Sequence, residues 1–589
     1  MNIDLRANPF FLTEEDCDWV HETIAAMSDE EKVGQLFVQL TSSQKEEDLI
    51  ELIQTYHLGG CRYNPAPARE VWKQNRILQE NSKIPLFIVC NTESGGDGAC
   101  TDGTYIGNGM KIGATGNHDY AEDMGRMGNA EAAAIGCNMA FAPVCDIYYN
   151  PMNTEISTRA FSNDPEMVKK CSVEYVRGAH QNTDFACVAK HFPGNGVDYR
   201  DAHLSNHVND FSPKHWDETY GMVYKELIEN GVEGIMGGHI MLPEYVRELA
   251  PELPEEEVWM PATLNKTLMT TLLREKLGFQ GVVVTDASHM VAMTNQMTRK
   301  EMLPRAINAG CDMFLFFNDP QEDFRTMLTA YQRGVISEER MTEALTRILG
   351  IKAHLQLHKK SAAEMVPEQD TLDRVLGNEE FKKKQCEISE KSLTLVKYKD
   401  KDVLPISPEK YKKVMIVHIK GHETGMVELL KLCGMEGKNP AETVKEKLCE
   451  RGYDAYVYES PLDQMKQKAL KGEKPDLNIY FAGKNAISEF REQADLVITL
   501  CDVMAGRPSF GMSKGGGEIP WYVFEVPVIA VGCGQPTMLS DIPQVRTYIN
   551  IYDAKETTLE KLIEALSSGA DAFVGKDPID SFCGLQDTK

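Results

Sequence analysis

The chain of 589 residues contains no uninterrupted apolar run approaching the ~18 residues that span a bilayer. Its opening residues, MNIDLRANPFFLTEEDCDWV, lack a basic region followed by an apolar one, so a cytoplasmic location is expected. Basic residues are in deficit: 62 Lys and Arg against 89 Asp and Glu leave a formal charge of −27. That charge repels phosphate backbones and anionic headgroups, which argues against nucleic acid and membranes as partners. The 15 cysteines are odd in number, scatter from Cys17 to Cys583 and include no C-x-x-C pair. They read as reduced core thiols, and neither a metal nor a cofactor is implied. No period of 20–50 residues repeats, which excludes solenoids and propellers. What remains, 42% hydrophobic and 26% charged, is ordinary globular composition with length for two large domains.

Ser28 with Glu31 three residues later is a capping box and predicts a helix start. Beyond it, short apolar runs recur at Pro85–Cys90, Met139–Cys145, Ala186–Ala189, Gly234–Met236, Gly281–Thr285 and Asp312–Phe317, each reading as a strand buried on both faces. Helical patterns fall between them at Tyr120–Ile135, Pro165–Gln181, Trp216–Glu229, Leu264–Leu277 and Ser337–Leu355. The repeated β-then-α order predicts an α/β fold: a TIM-like (β/α)8 barrel over residues 1–357. A charged stretch, 358–385, reads as a linker with some helix. Residues 386–589, with runs at Ser392–Val396, Val414–His418, Ala455–Tyr458, Leu496–Leu500 and Val526–Val531, predict an open α/β sandwich domain.

The densest local signal is KHFPGNG over Lys190–Gly196, directly after a predicted strand and continuing to Asp201-Ala202-His203. In a barrel that position is the carboxyl rim, where functional loops gather. An Asp two residues from a His orients the imidazole and stabilises its protonated form. The same triplet also occurs in solvated loops. The run Gly281–Asp286 ends in a carboxylate at the carboxyl end of a buried strand, where it suits a nucleophile or general base, or equally a helix N-cap.

These pieces occur in order. Met27–Gln35, the Leu58–Gly60 turn, Ala142–Asp146, Thr158–Pro165, Lys190–Gly194, His239 and Val284–Asp286 together resemble glycoside hydrolase family 3 over residues ~20 to 357. Glu390–Lys397 with Leu404 and Pro405 is similar to the start of that family's second domain. The KHFPG segment followed by Asp-x-His resembles the β-N-acetylglucosaminidase branch. That resemblance implies His203 as acid/base paired with Asp201, Asp286 as nucleophile, and Arg159, Lys190 and His191 as substrate-holding residues. Arg159 and Lys190 are alternatively partners of the pocket's own carboxylates. Glucosidase-type branches take their acid from the second domain, where Glu518 after Gly515–Gly517 is the nearest candidate, ranked below His203.

The chain departs from the branch pattern in three places. Asn91 stands where the pattern has an Asp; no Arg follows until Arg126; and Asn195 replaces the second His of KHFPGHG. An amide donates and accepts, whereas a carboxylate only accepts, so Asn91 is a candidate for altered sugar recognition. The expected function is retaining exo-β-N-acetylhexosaminidase activity, most simply β-N-acetylglucosaminidase, on small carbohydrate substrates by a monomer or homodimer. A β-glucosidase or β-xylosidase, a non-catalytic sugar-binding protein, and a phosphorylase in which a neutral His admits phosphate are the alternatives.

Overall fold

The computed structural model describes residues 3–41, 45–182, 185–421, 437–459, 461–474, 487–503 and 519–584. They divide into two compact units, one of residues 1–109 and 118–384, the other of residues 110–117 and 385–589. Glu518 lies outside the described residues. Among those described, no helix is long and apolar enough to cross a membrane.

The first unit is a closed barrel of eight parallel strands: β1 (Phe37–Thr41), β2 (Gly60–Tyr63), β3 (Phe87–Cys90), β4 (Met139–Ala140), β5 (Ala186–Phe192), β6 (Gly234–Gly237), β7 (Val282–Ala287) and β8 (Met313–Leu315). Each strand pairs with its neighbours in sequence, and β8 closes on β1 through Phe37 opposite Phe314. Strands β3 to β8 are the apolar runs visible in the sequence. β1 and β2 carry Gln39 and Arg62 at interior positions and so escape an apolar-run criterion. Gln39 is used in the framework: its Oε1 accepts the N–H of Phe317 at 2.9 Å. The helix Asp29–Gln35 begins at the expected cap, with Ser28 Oγ accepting from Glu31 N at 3.2 Å and Glu31 Oε2 accepting from Ser28 N at 3.0 Å.

The strand that carries Asp286 is fastened at its start. Asp312, fully buried, accepts the N–H of Val283 at 2.9 Å and pairs with Arg274 and Arg340 at 2.7 Å and Arg347 at 3.4 Å. Burial alone would raise its carboxyl; the three guanidinium groups outweigh that and hold it below the usual range.

Two expected boundaries change. Residues 358–384, read as a linker, contain the helices Ala362–Met365 and Gln369–Val375 and belong to the barrel unit. Trp72 Nε1 donates to Pro367 O at 2.6 Å, Gly377 N to Glu131 Oε1 at 2.7 Å, and Arg69 pairs with Asp373 at 2.7 Å. The charges that suggested a linker are its solvated face, while Val366 and Leu372 are buried beneath them. Residues 110–117, placed by sequence in the barrel, group with the second unit. There Lys111, fully buried, pairs with Asp553 at 2.7 Å and donates to Ser389 at 3.0 Å.

The second unit holds a six-stranded sheet: β9 (Thr394–Tyr398), β10 (Lys413–Lys420), β11 (Asp454–Val457), β12 (Leu496–Asp502), β13 (Val528–Gly532) and β14 (Thr547–Asn550). Their order is β9-β14-β13-β12-β10-β11, parallel except for β9 against β14. β14, with the polar residues Thr547 and Asn550 buried at its two ends, was not visible as an apolar run.

Candidate active site

The side chains singled out in the sequence gather at the carboxyl ends of β3, β4, β5 and β7. Asp286 comes late in β7, its Oδ1 accepting the N–H of Ala287 at 2.7 Å. Burial pushes its carboxyl up, but the fields of His191 and His239, the Ala287 N–H and Lys190 prevail and keep it below the usual carboxylate range. His191 turns its Nε2 to within 4.0 Å of Asp286. Its Nδ1 lies 2.7 Å from Asp146 Oδ2, which fixes the ring. Asp146, itself fully buried, also accepts the backbone N–H groups of His191 at 3.2 Å and Asn195 at 2.7 Å.

Asp201 and His203 form the expected dyad. His203 Nδ1 and its backbone N each lie 2.8 Å from Asp201 Oδ1. The imidazole is 53% exposed, so it stands at the rim and meets solvent. The Asp201 hydrogen bond raises its pKa above the ordinary imidazole value, partial burial opposes this, and the charges of Asp201, Glu155 and Asp286 add to the rise. The turn is locked to the segment after β7: Val291 N donates to His203 O at 3.3 Å and Ala292 N to Ala202 O at 3.1 Å.

Arg159 and Lys190 both meet Glu93. Arg159 grips it with two bonds of 2.8 and 2.9 Å, and Lys190 Nζ pairs with Glu93 Oε1. Burial would raise the Glu93 carboxyl, yet the two cations hold it far below the usual range. Burial in turn lowers the Lys190 amine, with Glu93 opposing. The two cations thus serve a neighbouring carboxylate, Glu93. Asn91, half-buried just past β3, has no partner for its Oδ1 among the described residues. Asn195, by contrast, is spent on the framework: its Oδ1 accepts from Asn153 Nδ2 at 3.0 Å and from Gly196 N at 2.6 Å.

Sequence reasoning gave no role to Glu93, Asp146 or Glu155, and used His239 only as a landmark. Asp146 and His239 lay inside quoted motifs, and Glu93 inside the Asn91 loop; Glu155 carried no signal. His239 is buried with Nε2 3.1 Å from Ala287 O and Nδ1 2.8 Å from Thr263 Oγ1. A carbonyl only accepts, so Nε2 carries a proton there; burial lowers the His239 pKa, with the Asp286 charge opposing. Glu155, Asp201 and His203 place ligand atoms within 4.8 Å of one another, the one such group among the described residues with the chemistry to hold a cation.

A closed parallel barrel with buried and rim acids at its carboxyl end defines a (β/α)8-barrel enzyme of the glycosidase kind. Residues 28–351 match the glycosyl hydrolase family 3 N terminal domain, and the chain belongs to glycoside hydrolase family 3. It is 36% identical, over the full length of both chains, to a Cellulomonas fimi protein named beta-N-acetylglucosaminidase/beta-glucosidase. Among solved structures it is similar to "Beta-glucoside phosphorylase BglX", with a TM-score of 0.88, 33% identity and 99% of each chain covered. It is similar also to a family 3 beta-N-acetylglucosaminidase from Paenibacillus sp. str. FPU-7, with a TM-score of 0.76, 25% identity, and 94% of this chain and 99% of that one covered.

Proposed function

We propose that this enzyme cleaves terminal β-glycosidic bonds with retention of configuration, through a glycosyl-enzyme formed on Asp286, and that N-acetylglucosamine is the sugar transferred. The observation that carries this reading is the interlock of the Asp201–His203 turn with the residues following Asp286, which puts a protonatable imidazole and an ionised carboxylate on coupled segments. Asp286 attacks the anomeric carbon; the bond to the leaving oxygen breaks, and that oxygen takes the His203 proton. Water then attacks the same carbon, His203 accepts its proton, and the bonding pair returns to Asp286. His191, held by Asp146, faces the reacting carboxylate, and Lys190 and Arg159 offer donors to sugar oxygens.

A second reading, supported by the likeness to the β-glucoside phosphorylase, has phosphate in place of water and glucose in place of N-acetylglucosamine. A neutral His203 repels phosphate less than a carboxylate would. In the second step a phosphate oxygen attacks the anomeric carbon of the glycosyl-enzyme, the bonding pair returns to Asp286, and sugar 1-phosphate is released.

The test is turnover of nitrophenyl β-glycosides of GlcNAc, GalNAc, glucose and xylose, by wild type, Asp286→Asn and His203→Ala, in phosphate and in a non-nucleophilic buffer. Release of free N-acetylglucosamine that collapses in Asp286→Asn supports the first reading. Sugar 1-phosphate selects the second. Rates that survive Asp286→Asn overturn both, and saccharide binding without product points to a binding protein.

A further inference from the structure

Glu155 lies in the loop between β4 and the turn Ser157–Arg159 and projects beneath the Asp201–His203 turn. Its backbone carbonyl accepts from Arg159 Nη1 at 3.2 Å, and its Oε2 accepts the N–H of Ala202 at 3.1 Å. The side chain is 5% exposed, and the nearby His207 is fully buried with Nδ1 3.7 Å from Glu155 Oε2. His207 does not neutralise it by position alone, since the same Nδ1 lies 2.7 Å from Arg200 O, where it donates. Ala202 is held on every side: its N–H by Glu155, its C=O by Ala292 N, and its methyl, 1% exposed, by Met290 and Ala292.

We propose that Glu155 is a positioning residue for the Asp201–His203 dyad: it anchors the turn at Ala202 and sets a second, buried negative charge beside the imidazole. The inference rests on His203 being the acid/base. Asp201 makes the direct hydrogen bond to the imidazole, but at 28% and 53% exposure the pair is partly screened by water. A buried carboxylate within 4.8 Å acts through a lower dielectric and favours the imidazolium more strongly at equal distance. The charged and titratable groups acting on His203 are Asp201 from its own turn, Glu155 from the loop after β4, Asp286 from β7 and His239 from beyond β6. Glu155 therefore connects the Glu93–Arg159 pair on one side to the proton-transfer group on the other.

The experiment compares kcat/KM against pH for wild type, Glu155→Gln, Glu155→Ala and His203→Ala, using the sugar turned over best, as nitrophenyl and as methyl β-glycoside. Glu155→Gln keeps an acceptor for Ala202 but loses the charge. Its alkaline limb is expected to move down by about half to one pH unit. Glu155→Ala loses both, and kcat on the methyl glycoside is expected to fall about 10–100-fold with the nitrophenyl rate changing only a few-fold, since a good leaving group needs little protonation. An unmoved alkaline limb in Glu155→Gln, or equal losses on both leaving groups in Glu155→Ala, overturns the proposal while leaving His203 in its role. Intact methyl-glycoside turnover in His203→Ala overturns the acid/base assignment itself, and this inference with it.

Discussion

His191 faces Asp286 across 4.0 Å with the imidazole held from behind by Asp146. The pair of contacts makes the carboxylate's surroundings depend on a residue that does not touch it. Asp146→Asn leaves the backbone contacts to His191 and Asn195 an acceptor but weakens the hold on Nδ1. A charged hydrogen bond of this kind is worth ~1.5–3 kcal/mol, so kcat/KM is expected to fall on the order of 10–100-fold with little loss of folding. Steady-state rates beside a thermal melt decide it; full activity in Asp146→Asn would remove the ring-orienting role.

On the proposed mechanism, Asp286→Asn removes the attacking oxygen while keeping the shape of the side chain. The expected loss in kcat is on the order of 10^4-fold or more, as for removal of a nucleophile elsewhere. Burst kinetics with a dinitrophenyl glycoside should show a covalent sugar on the wild-type protein by mass spectrometry and none on the variant.

The pH profile of kcat/KM follows from the two directions. The proposed mechanism needs Asp286 ionised, and its pKa is held below the ordinary carboxyl value of about 3.9. It also needs His203 protonated, and its pKa is raised above about 6.5. The profile is therefore expected to stay flat from below pH 4 to beyond pH 6.5, falling at alkaline pH as His203 loses its proton. A fall centred at or below pH 6 in the stable protein would contradict the dyad's influence on His203.

Asn91 carries a buried amide oxygen that has no partner among the described residues. Asn91→Asp removes one donor and adds charge, and a sugar hydroxyl bound there through the amide N–H loses about 1 kcal/mol, or roughly five-fold in affinity. The ratio of rates on GlcNAc and GalNAc substrates should shift by at least that factor. An unchanged ratio and KM would place Asn91 outside sugar recognition.

Replacing Asp312 by Ala leaves two buried guanidinium groups, of Arg274 and Arg347, and the half-buried one of Arg340 with their shared partner gone. The cost is expected at about 3–5 kcal/mol, read as a lower urea midpoint. The folded carboxyl titrates below its unfolded value, so its contribution is fully present above about pH 3.9 and is lost as pH falls through the lower folded pKa. Acid unfolding of wild type and variant should converge at low pH.

The barrel was legible where its strands are continuous apolar runs, as at Gly281–Thr285, and illegible where Gln39 and Arg62 interrupt them. Asp201, His203 and Asp286 were legible as candidates because each stands within a local pattern. Glu155 did not, since its meaning lies in one bond to Ala202, 47 residues away. Asn195 stood out as a departure from the motif; it is a framework residue, which only its bonds to Asn153 and Gly196 reveal. The segment 110–117 escaped for a similar reason: the partners of Lys111, Asp553 and Ser389, are far along the chain.

Asp312 binds the amide of Val283, three residues before Asp286 on the same strand. A strand slipped by one residue would turn Asp286 to the opposite face of the barrel wall. The ionic knot of Asp312 and its three arginines forbids that slip, so the address of the Asp286 carboxylate is written at the far end of β7. Variation in the loops around the sugar is then free to accumulate without unsettling the register on which the chemistry stands.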